Sequence, residues 1–462
     1  MTDTTLLGMP ARREARPATR EGKTYFVRTF GCQMNEHDSE RISGLLRSDG
    51  MAPAAAAEDA DVVVLNTCTI RENADQRLYG YLGSLKQAKD ARPGMRILVG
   101  GCMAQKDRGT IQERAGWVDV VFGTHNTHRV LHLLDHADEW GPVTEVWEET
   151  ASTDDIPSML PTQRQVDHAA WVTITIGCNN SCTFCIVPSV RGREISRRPG
   201  DIISEVSQLV ADGVVEVTLL GQNVNSYGRD LELNGRKPIF ADLLRRTGEV
   251  EGLRRVRYTS PHPKDFGEDV AIAMAETPVV CEQLHLPLQS GADRVLSSMH
   301  RGYNAKRFLD KLALARDVIP GLAVSTDIIV GFPGETEAEF QATLDLVTEA
   351  RFDSAFMFQF SPRPGTAAFE MTDQFIDAEV IQERFERLVA LQNQITLERN
   401  EDMVGETYEV MVEGPSKRDP EMATTRTRGN KLVHVPGQFD PATVLNAVIT
   451  RAAPHHLIGT VA

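Results

Sequence analysis

Trp171-Val172-Thr173-Ile174-Thr175-Ile176-Gly177-Cys178-Asn179-Asn180-Ser181-Cys182-Thr183-Phe184-Cys185 runs from a β-branched, apolar stretch into three cysteines in one short loop. The first six residues read as a buried strand. The loop then spaces its thiols as Cys-x-x-x-Cys-x-x-Cys. Three thiolates this close hold three irons of a cubane iron–sulfur cluster and leave the fourth iron without a protein ligand. An open iron binds and reductively cleaves a small molecule, which a four-cysteine cluster does not readily do. A structural zinc site wants a fourth Cys or His, and none follows Cys185 within the next thirty residues.

Upstream, a pattern repeats. Tyr25–Phe30, Val62–Asn66 and Ile97–Val99 are strand-like, and each ends just before a cysteine: Cys32, Cys68 and Cys102. Helical stretches lie between them, Asn35 to Asp49 and Arg71 to Lys89, with stops at Gly50 and Pro93. The cysteines stand 36 and 34 residues apart, about one βα unit each. In a doubly wound parallel sheet every strand-to-helix loop opens at the same edge. Three thiols at three such edges converge into a second cluster site, again with one open iron. Cys281, the seventh cysteine, reads as an inert thiol inside a strand.

Downstream, six strands alternate with helices. The strands are Trp171–Ile176, Val214–Leu220, Arg254–Thr259, Val279–Leu286, Ala323–Val330 and Phe352–Phe360. The helices are Asp201–Asp212, Ile239–Thr247, Ala292–Met299, Ala305–Val318 and Glu337–Glu349. Such alternation predicts a parallel sheet with right-handed crossovers, here a partial (βα)6 barrel. Polar, Gly-rich clusters follow the strands, at the face where barrel active sites lie. Among them Gln222, Asn223 and Glu335, with Phe184 of the cysteine loop, are candidates to contact a small-molecule cofactor.

From about Asn400 the texture turns to short alternating strands, Thr407–Glu413, Lys431–Val435, Thr443–Thr450 and His456–Val461, which predict a small antiparallel β-barrel. Its charges nearly balance, but Arg426-Thr427-Arg428-Gly429-Asn430-Lys431 is a local cationic run of the kind that contacts phosphates. Arg191/Arg193/Arg197/Arg198 and Arg245/Arg246/Arg254/Arg255/Arg257 are two further concentrations. The whole chain of 462 residues carries a net charge of −16, which argues against a nucleic-acid partner unless charge is local. Hydrophobic residues make up 41% and charged residues 25%, an ordinary globular balance. No run of eighteen apolar residues suggests a membrane span. An odd number of scattered cysteines argues for metal or redox use over disulfides.

Taken together the motifs resemble the radical S-adenosylmethionine methylthiotransferases across nearly the full length. The resemblance rests on Thr29-Phe30-Gly31-Cys32-Gln33-Met34-Asn35-Glu36-His37-Asp38-Ser39-Glu40 and Asn66-Thr67-Cys68-Thr69-Ile70-Arg71-Glu72. It rests equally on Gly101-Cys102-Met103-Ala104-Gln105, Tyr258-Thr259-Ser260-Pro261-His262-Pro263 and His285-Leu286-Pro287-Leu288-Gln289-Ser290-Gly291. Gln33-Met34-Asn35 points to the bacterial tRNA branch acting on N6-dimethylallyl- (isopentenyl-) adenosine. The branch acting on threonylcarbamoyl-adenosine tRNA and the one acting on a ribosomal protein side chain usually differ there, and both are retained as alternatives. A non-catalytic electron-transfer protein is the rival from another class. Thr425 stands where family members often have Gly, which puts a turn there in question.

The resemblance implies an α/β architecture: a disordered extension (1–22), an N-terminal doubly wound parallel α/β cluster domain (23–139), a linker (140–163), a partial (βα)6 radical SAM barrel (164–397) and a small antiparallel β-barrel, the RNA-binding TRAM domain (398–462). It implies two [4Fe-4S] clusters, an auxiliary one on Cys32, Cys68 and Cys102 and a radical SAM one on Cys178, Cys182 and Cys185, with S-adenosyl-L-methionine bound near Phe184, Gln222, Asn223 and Glu335. No protein side chain is expected as catalytic acid or base. Sulfur and a methyl group would be inserted at C2 of adenosine 37 in the anticodon loop, using two S-adenosylmethionines. The implied partners are tRNA, a flavodoxin-like electron donor and a sulfide source. A cytoplasmic monomer without membrane attachment is expected.

Overall fold

The computed structural model describes residues 17–69, 74–148, 160–231, 235 and 237–462. Most of the expected extension, the start of the second expected helix and the middle of the expected linker lie outside these residues. The chain divides into two compact units. The first takes the chain up to Asp167 together with Thr173–Asn180 and Cys185–Glu205; the second takes His168–Val172, Ser181–Phe184 and Val206–Ala462.

The first unit is built on six parallel strands, β1 (Thr24–Thr29), β2 (Ala52–Pro53), β3 (Val62–Thr67), β4 (Arg96–Gly101), β5 (Val120–Phe122) and β6 (Val143–Glu145), in the order β2-β1-β3-β4-β5-β6. The run Val62-Val63-Val64-Leu65 explains its layering. Period-two side chains send Val63 and Leu65 to one face, where Leu78, Leu82 and Leu85 of helix Ala74–Ala91 cover them. Val62 and Val64 go to the other, against Ile42, Leu45 and Leu46 of helix Gln33–Ser48 and Leu133 and Leu134 of helix Val130–Trp140. Each such Val or Leu taken out of water is worth about 1.5–3 kcal/mol. A strand apolar on both faces is therefore committed to a sheet covered on both sides. Arg20, placed in the expected extension, is buried and ion-paired to Asp49, Asp135 and Asp138, each at 2.8 Å, so the ordered fold begins before β1.

The expected strand Trp171–Ile176 is broken into β7 (Ala169–Thr173) and β8 (Thr175–Ile176). The break comes at Ile174, whose carbonyl accepts the Arg197 N–H, while β8 pairs antiparallel with β9 (Ile195–Ser196).

In the second unit β7 is followed by β10 (Glu216–Leu220), β11 (Arg255–Tyr258), β12 (Gln283–His285), β13 (Ala323–Val330) and β14 (Ser354–Gln359). They form two three-stranded sheets, β7-β10-β11 and β12-β13-β14, joined by a parallel bridge between Val256 and Val280. These are the six strands of the expected partial barrel. The fourth is shorter than expected. Val280 N–H turns back to the Thr277 carbonyl, so Cys281 precedes the strand instead of lying inside it. Cys281 is buried, and burial raises its thiol pKa. Among the described residues of this unit, the helices Glu268–Glu276 and the 24-residue Ala378–Glu401 were not anticipated; in the first unit, neither was Val130–Trp140.

The tail closes as a five-stranded barrel, β15 (Thr407–Pro415), β16 (Met422–Thr427), β17 (Leu432–Pro436), β18 (Val444–Ala453) and β19 (His456–Val461), in the order β15-β16-β17-β19-β18. Val410, Val412, Val433, Val435, Ala447, Ile449 and Leu457 fill it. Thr425 is interior to β16, its hydroxyl bonded to the Val433 carbonyl at 2.9 Å, so no turn is needed there.

The cationic run is spent within the protein. Arg428 chelates Glu282 through Nε and Nη2 (2.7 and 2.8 Å), Arg426 pairs with Glu413, and Lys431 with Asp353 at 3.0 Å. From the other side, buried Arg257 donates to the carbonyls of Thr427 and Arg428 (3.0 and 2.7 Å) and to Glu216. Buried Arg255 bonds Glu409 and the Arg426 carbonyl, both at 2.9 Å. These arginines therefore join the tail to the barrel strands. Arg257→Ala strands two carbonyls and Glu216, and is expected to cost about 3–5 kcal/mol. A calorimetric Tm unchanged from wild type would rule out this load-sharing.

Candidate functional site

The order β1-β3-β4 places three neighbouring strands so that their C-terminal ends open on one edge. Cys32 is the residue before helix Gln33–Ser48, Cys68 directly follows β3, and Cys102 directly follows β4 as the first residue of helix Cys102–Asp107. Cys68 and Cys102 are buried, Cys32 half-buried. Burial pushes the Cys102 thiol up to about 11; Cys68 and Cys32 push in the same direction while Arg191 opposes them, so the three sulfurs and this guanidinium share one neighbourhood. Arg191 is buried and paired with Asp38 at 2.9 Å. Ile186 and Val190, which precede it in the chain, pack on Cys102.

An asparagine pair holds this edge. Asn35 Nδ2 donates to Asn66 Oδ1 and to the Thr67 carbonyl (3.2 and 3.0 Å), and Asn66 Nδ2 donates to the Asn35 carbonyl and Ser39 Oγ (2.8 and 3.0 Å). The contact requires a bare backbone opposite it. Gly101 has φ +91°, and a Cβ there would meet Asn66 Oδ1 and the Thr67 carbonyl at 2.4 Å. Gly101→Ala is accordingly expected to displace Cys102 and lower bound iron by about half. Full iron loading by absorption and chemical assay would show that the edge tolerates the shift.

The second cysteine loop begins at Gly177, where φ is +76° and a Cβ would stand 2.0 Å from the Arg193 carbonyl. Cys178 N–H donates to the Gly192 carbonyl at 3.1 Å, and Asn179 Oδ1 accepts the Glu194 N–H at 3.1 Å. In the other unit, Thr183 bonds the Met299 and Ser298 carbonyls, and its own carbonyl accepts the Ala368 N–H. Phe184 packs against Ala292, Val295, Met299, Phe332 and Ala368. Buried Arg301 donates to Cys182 Sγ at 3.2 Å and to the Tyr303 hydroxyl, which bonds the Pro287 and Leu288 carbonyls. A fixed cation on a sulfur stabilises its thiolate or cluster-bound form. Among the described residues no three His, Cys, Asp or Glu side chains are placed to share one metal ion. In a cubane each thiolate takes a different iron, so its ligands stand further apart than those of a single ion.

Beyond the C-terminal ends of β10, β11 and β12 lie polar side chains that are buried yet incompletely bonded. Asn223 donates to Asp265 at 2.7 Å, but among the described residues its Oδ1 has no partner, and neither amide atom of Asn225 has one. His262 Nδ1 accepts the Lys264 N–H, leaving Nε2 without a partner among the described residues, and burial, reinforced by Arg301, Lys264 and Lys311, pushes its pKa down to about 2. Gln289 Oε1 is likewise unpartnered among the described residues. An unmade buried hydrogen bond costs about 1–3 kcal/mol. Donors and acceptors left open together suit a ligand with hydroxyl, ammonium and carboxylate groups. Of the expected cofactor contacts, Asn223 belongs to this set and Gln222 stands half-buried beside it. Glu335 is engaged elsewhere: it accepts the Gly331 N–H at 2.9 Å and faces Arg384, while burial pushes its carboxyl up to about 7.

Three family models match the chain: uncharacterized protein family UPF0004 over residues 24–123, the radical SAM superfamily over 172–347 and the TRAM domain over 401–462. The chain is 55% identical to the tRNA-2-methylthio-N(6)-dimethylallyladenosine synthase of Saccharopolyspora erythraea, over 94% of this chain and 89% of that one. It belongs to that synthase family. The Streptomyces coelicolor and Acidothermus cellulolyticus synthases are 56% and 55% identical, over 94% and 98% of this chain and 87% and 92% of theirs. Among solved structures, the radical S-adenosylmethionine methyltransferase TsrM from Kitasatospora setae aligns with a TM-score of 0.55 at 14% identity, over 75% of each chain, a likeness of fold alone.

In this synthase family member, sequence reasoning missed Arg301 as a donor to Cys182, Arg191 as a charge beside Cys102, and Asn225 as an open polar group; His262 and Gln289 lie in the polar clusters it placed after the strands, without being singled out. Arg191 and Arg197 were read with a surface cationic cluster, but both are buried, the latter on the Thr173 carbonyl and Glu205. Their nearness to Cys185 in sequence was the available signal. Arg301 had none, since its contact with Cys182 spans 119 residues.

Proposed function

We propose that this chain methylthiolates C2 of N6-dimethylallyladenosine in tRNA, at the base beside the anticodon. The observation carrying this reading is the convergence of Cys32, Cys68 and Cys102 at one sheet edge in a chain that also carries Cys178, Cys182 and Cys185. Two cubane sites, one per cysteine trio, account for all the cysteines but buried Cys281.

A [4Fe-4S] cluster with S-adenosylmethionine supplies one-electron chemistry at an unactivated C–H bond, where no side-chain acid or base can act. The residues do the rest. Cys178, Cys182 and Cys185 hold the radical SAM cluster, with Arg301 donating to one of its sulfurs. Asn223, Asn225, His262 and Gln289 hold S-adenosylmethionine through their open donors and acceptors, His262 acting as a neutral ring. Phe184 packs the loop onto the apolar cluster around Phe332 and keeps water from it. Cys32, Cys68 and Cys102 hold the auxiliary cluster, and Arg191 offsets the negative charge gathered there. The TRAM barrel supports tRNA binding, in which Arg426, Arg428 and Lys431 would reach a phosphate only in competition with Glu413, Glu282 and Asp353. No helix among the described residues is long and apolar enough to cross a membrane, and a cytoplasmic enzyme served by a small electron donor and a sulfide source fits a tRNA substrate.

The test is anaerobic incubation of reconstituted protein with dimethylallyladenosine-containing tRNA, S-adenosylmethionine, sulfide and dithionite. Mass spectrometry of the digested nucleosides is expected to show one added methylthio group. Release of 5′-deoxyadenosine without that product would overturn the substrate and keep the radical chemistry.

A further inference from the structure

Strand β14 is the outer strand of its sheet, and its two faces differ. Ala355, Met357 and Gln359 turn toward the helix Ala378–Glu401, where Gln359 Nε2 donates to Gln382 Oε1 at 2.6 Å. Phe356 and Phe358 occupy the opposite face and are 57% and 50% exposed. Two large aromatic rings left open side by side on a strand are costly in water and mark a binding surface.

The neighbours say what kind. In register, Asp327 stands beside Phe356 and Ile329 beside Phe358. His285 of β12 meets the Phe356 ring edge-on at 5.9 Å, with its Nε2 3.3 Å from Asp327 Oδ2 and its Nδ1 2.9 Å from Ser325 Oγ. Gln289, whose Oε1 is buried and without a partner among the described residues, is bonded through its backbone to Asp327 and Ile329 of β13. The aromatic face is thus next to the strand pairing that holds Gln289, one of the open polar groups at the ends of the barrel strands. None of these residues is Lys or Arg, and Asp327 is acidic, so they offer a phosphate no fixed cation. The complementary occupant is flat, uncharged and partly aliphatic, with a polar edge.

We propose that Phe356 and Phe358 form the platform on which the prenylated adenine lies, the dimethylallyl group and purine face against the rings and the base edge toward His285, Asp327 and Gln289. This rests on the tRNA reading and adds the feature that tells a prenylated adenine from a bare one. Unpaired loop bases splay out and stack on aromatic side chains in this way.

Binding of synthetic anticodon stem-loops with and without the N6-dimethylallyl group, followed by fluorescence anisotropy on the reconstituted full chain, tests it. Wild type is expected to prefer the prenylated loop. Phe356→Ala and Phe358→Ala should each weaken that binding about tenfold, and the double variant should bind both loops alike. Phe358→Trp should restore the preference, which a purely structural role would not predict. Iron content and Tm matching wild type show that the variants are folded. A wild-type preference that survives in the double variant overturns the platform alone. A wild type that neither prefers the prenylated loop nor forms methylthio product overturns the platform together with the substrate assignment.

Discussion

Replacing Cys32, Cys68 and Cys102 together by Ala is expected to halve the bound iron, leave S-adenosylmethionine cleavage intact and abolish sulfur insertion. The reasoning is geometric. These cysteines sit at the ends of β1, β3 and β4, away in sequence from the loop of Cys178, Cys182 and Cys185, so on the proposed reading their removal would empty one site and leave the ligands of the other. Ala is a mild replacement at Cys68 and Cys102, which are buried in a well-packed edge, so the sheet should persist. Iron by colorimetric assay, 5′-deoxyadenosine by chromatography and nucleosides by mass spectrometry give three separate readings. Iron equal to wild type would show that the sheet edge holds no cluster. Loss of cleavage along with insertion would show that the two sites do not act separately.

Cys182→Ala is expected to give the complementary result: about half the iron, no 5′-deoxyadenosine and no product. Cys182 is the sulfur that receives the Arg301 guanidinium. Arg301 is itself buried, its charge favoured by Tyr303 and Cys182 against the cost of burial. Removing the sulfur leaves that cation short of a partner, so the variant should also lose stability by about 1–3 kcal/mol, more than thiol packing alone would explain. Cys182→Ala/Arg301→Met removes both partners and is expected to recover much of that stability without recovering cleavage. Retained cleavage in Cys182→Ala would mean that this cysteine is not a cluster ligand.

The parts of the site legible in the sequence are those set by short-range pattern. Cys178, Cys182 and Cys185 announce themselves because one loop holds all three. Cys32, Cys68 and Cys102 announce themselves because a βα unit has a characteristic length and strand ends share an edge. Val62–Leu65 reads as a doubly covered strand because its β-branched run has no polar face. The break between β7 and β8 was not legible, since it depends on pairing with Ile195–Ser196 and on Arg197, about twenty residues further along.

Charge was where pattern misled. Arg426, Arg428 and Lys431 look like a phosphate patch in one dimension, yet each meets an acid that folding delivers, Glu413, Glu282 and Asp353. Arg255 and Arg257 look like surface charges and are buried against the tail's backbone. Ion pairs between long side chains have no period and no fixed separation, so only the assembled fold reveals which charges remain free.

The sequence by itself determined the layer architecture, the two cysteine trios and the order of domains, because periodicity, loop chemistry and βα length are local properties of the chain. The tertiary structure alone decided which cations guard the sulfurs, which polar groups stay open at the strand ends and which face of β14 carries its bare rings. Those depend on contacts between residues far apart in the chain, which burial energy selects and sequence spacing does not encode.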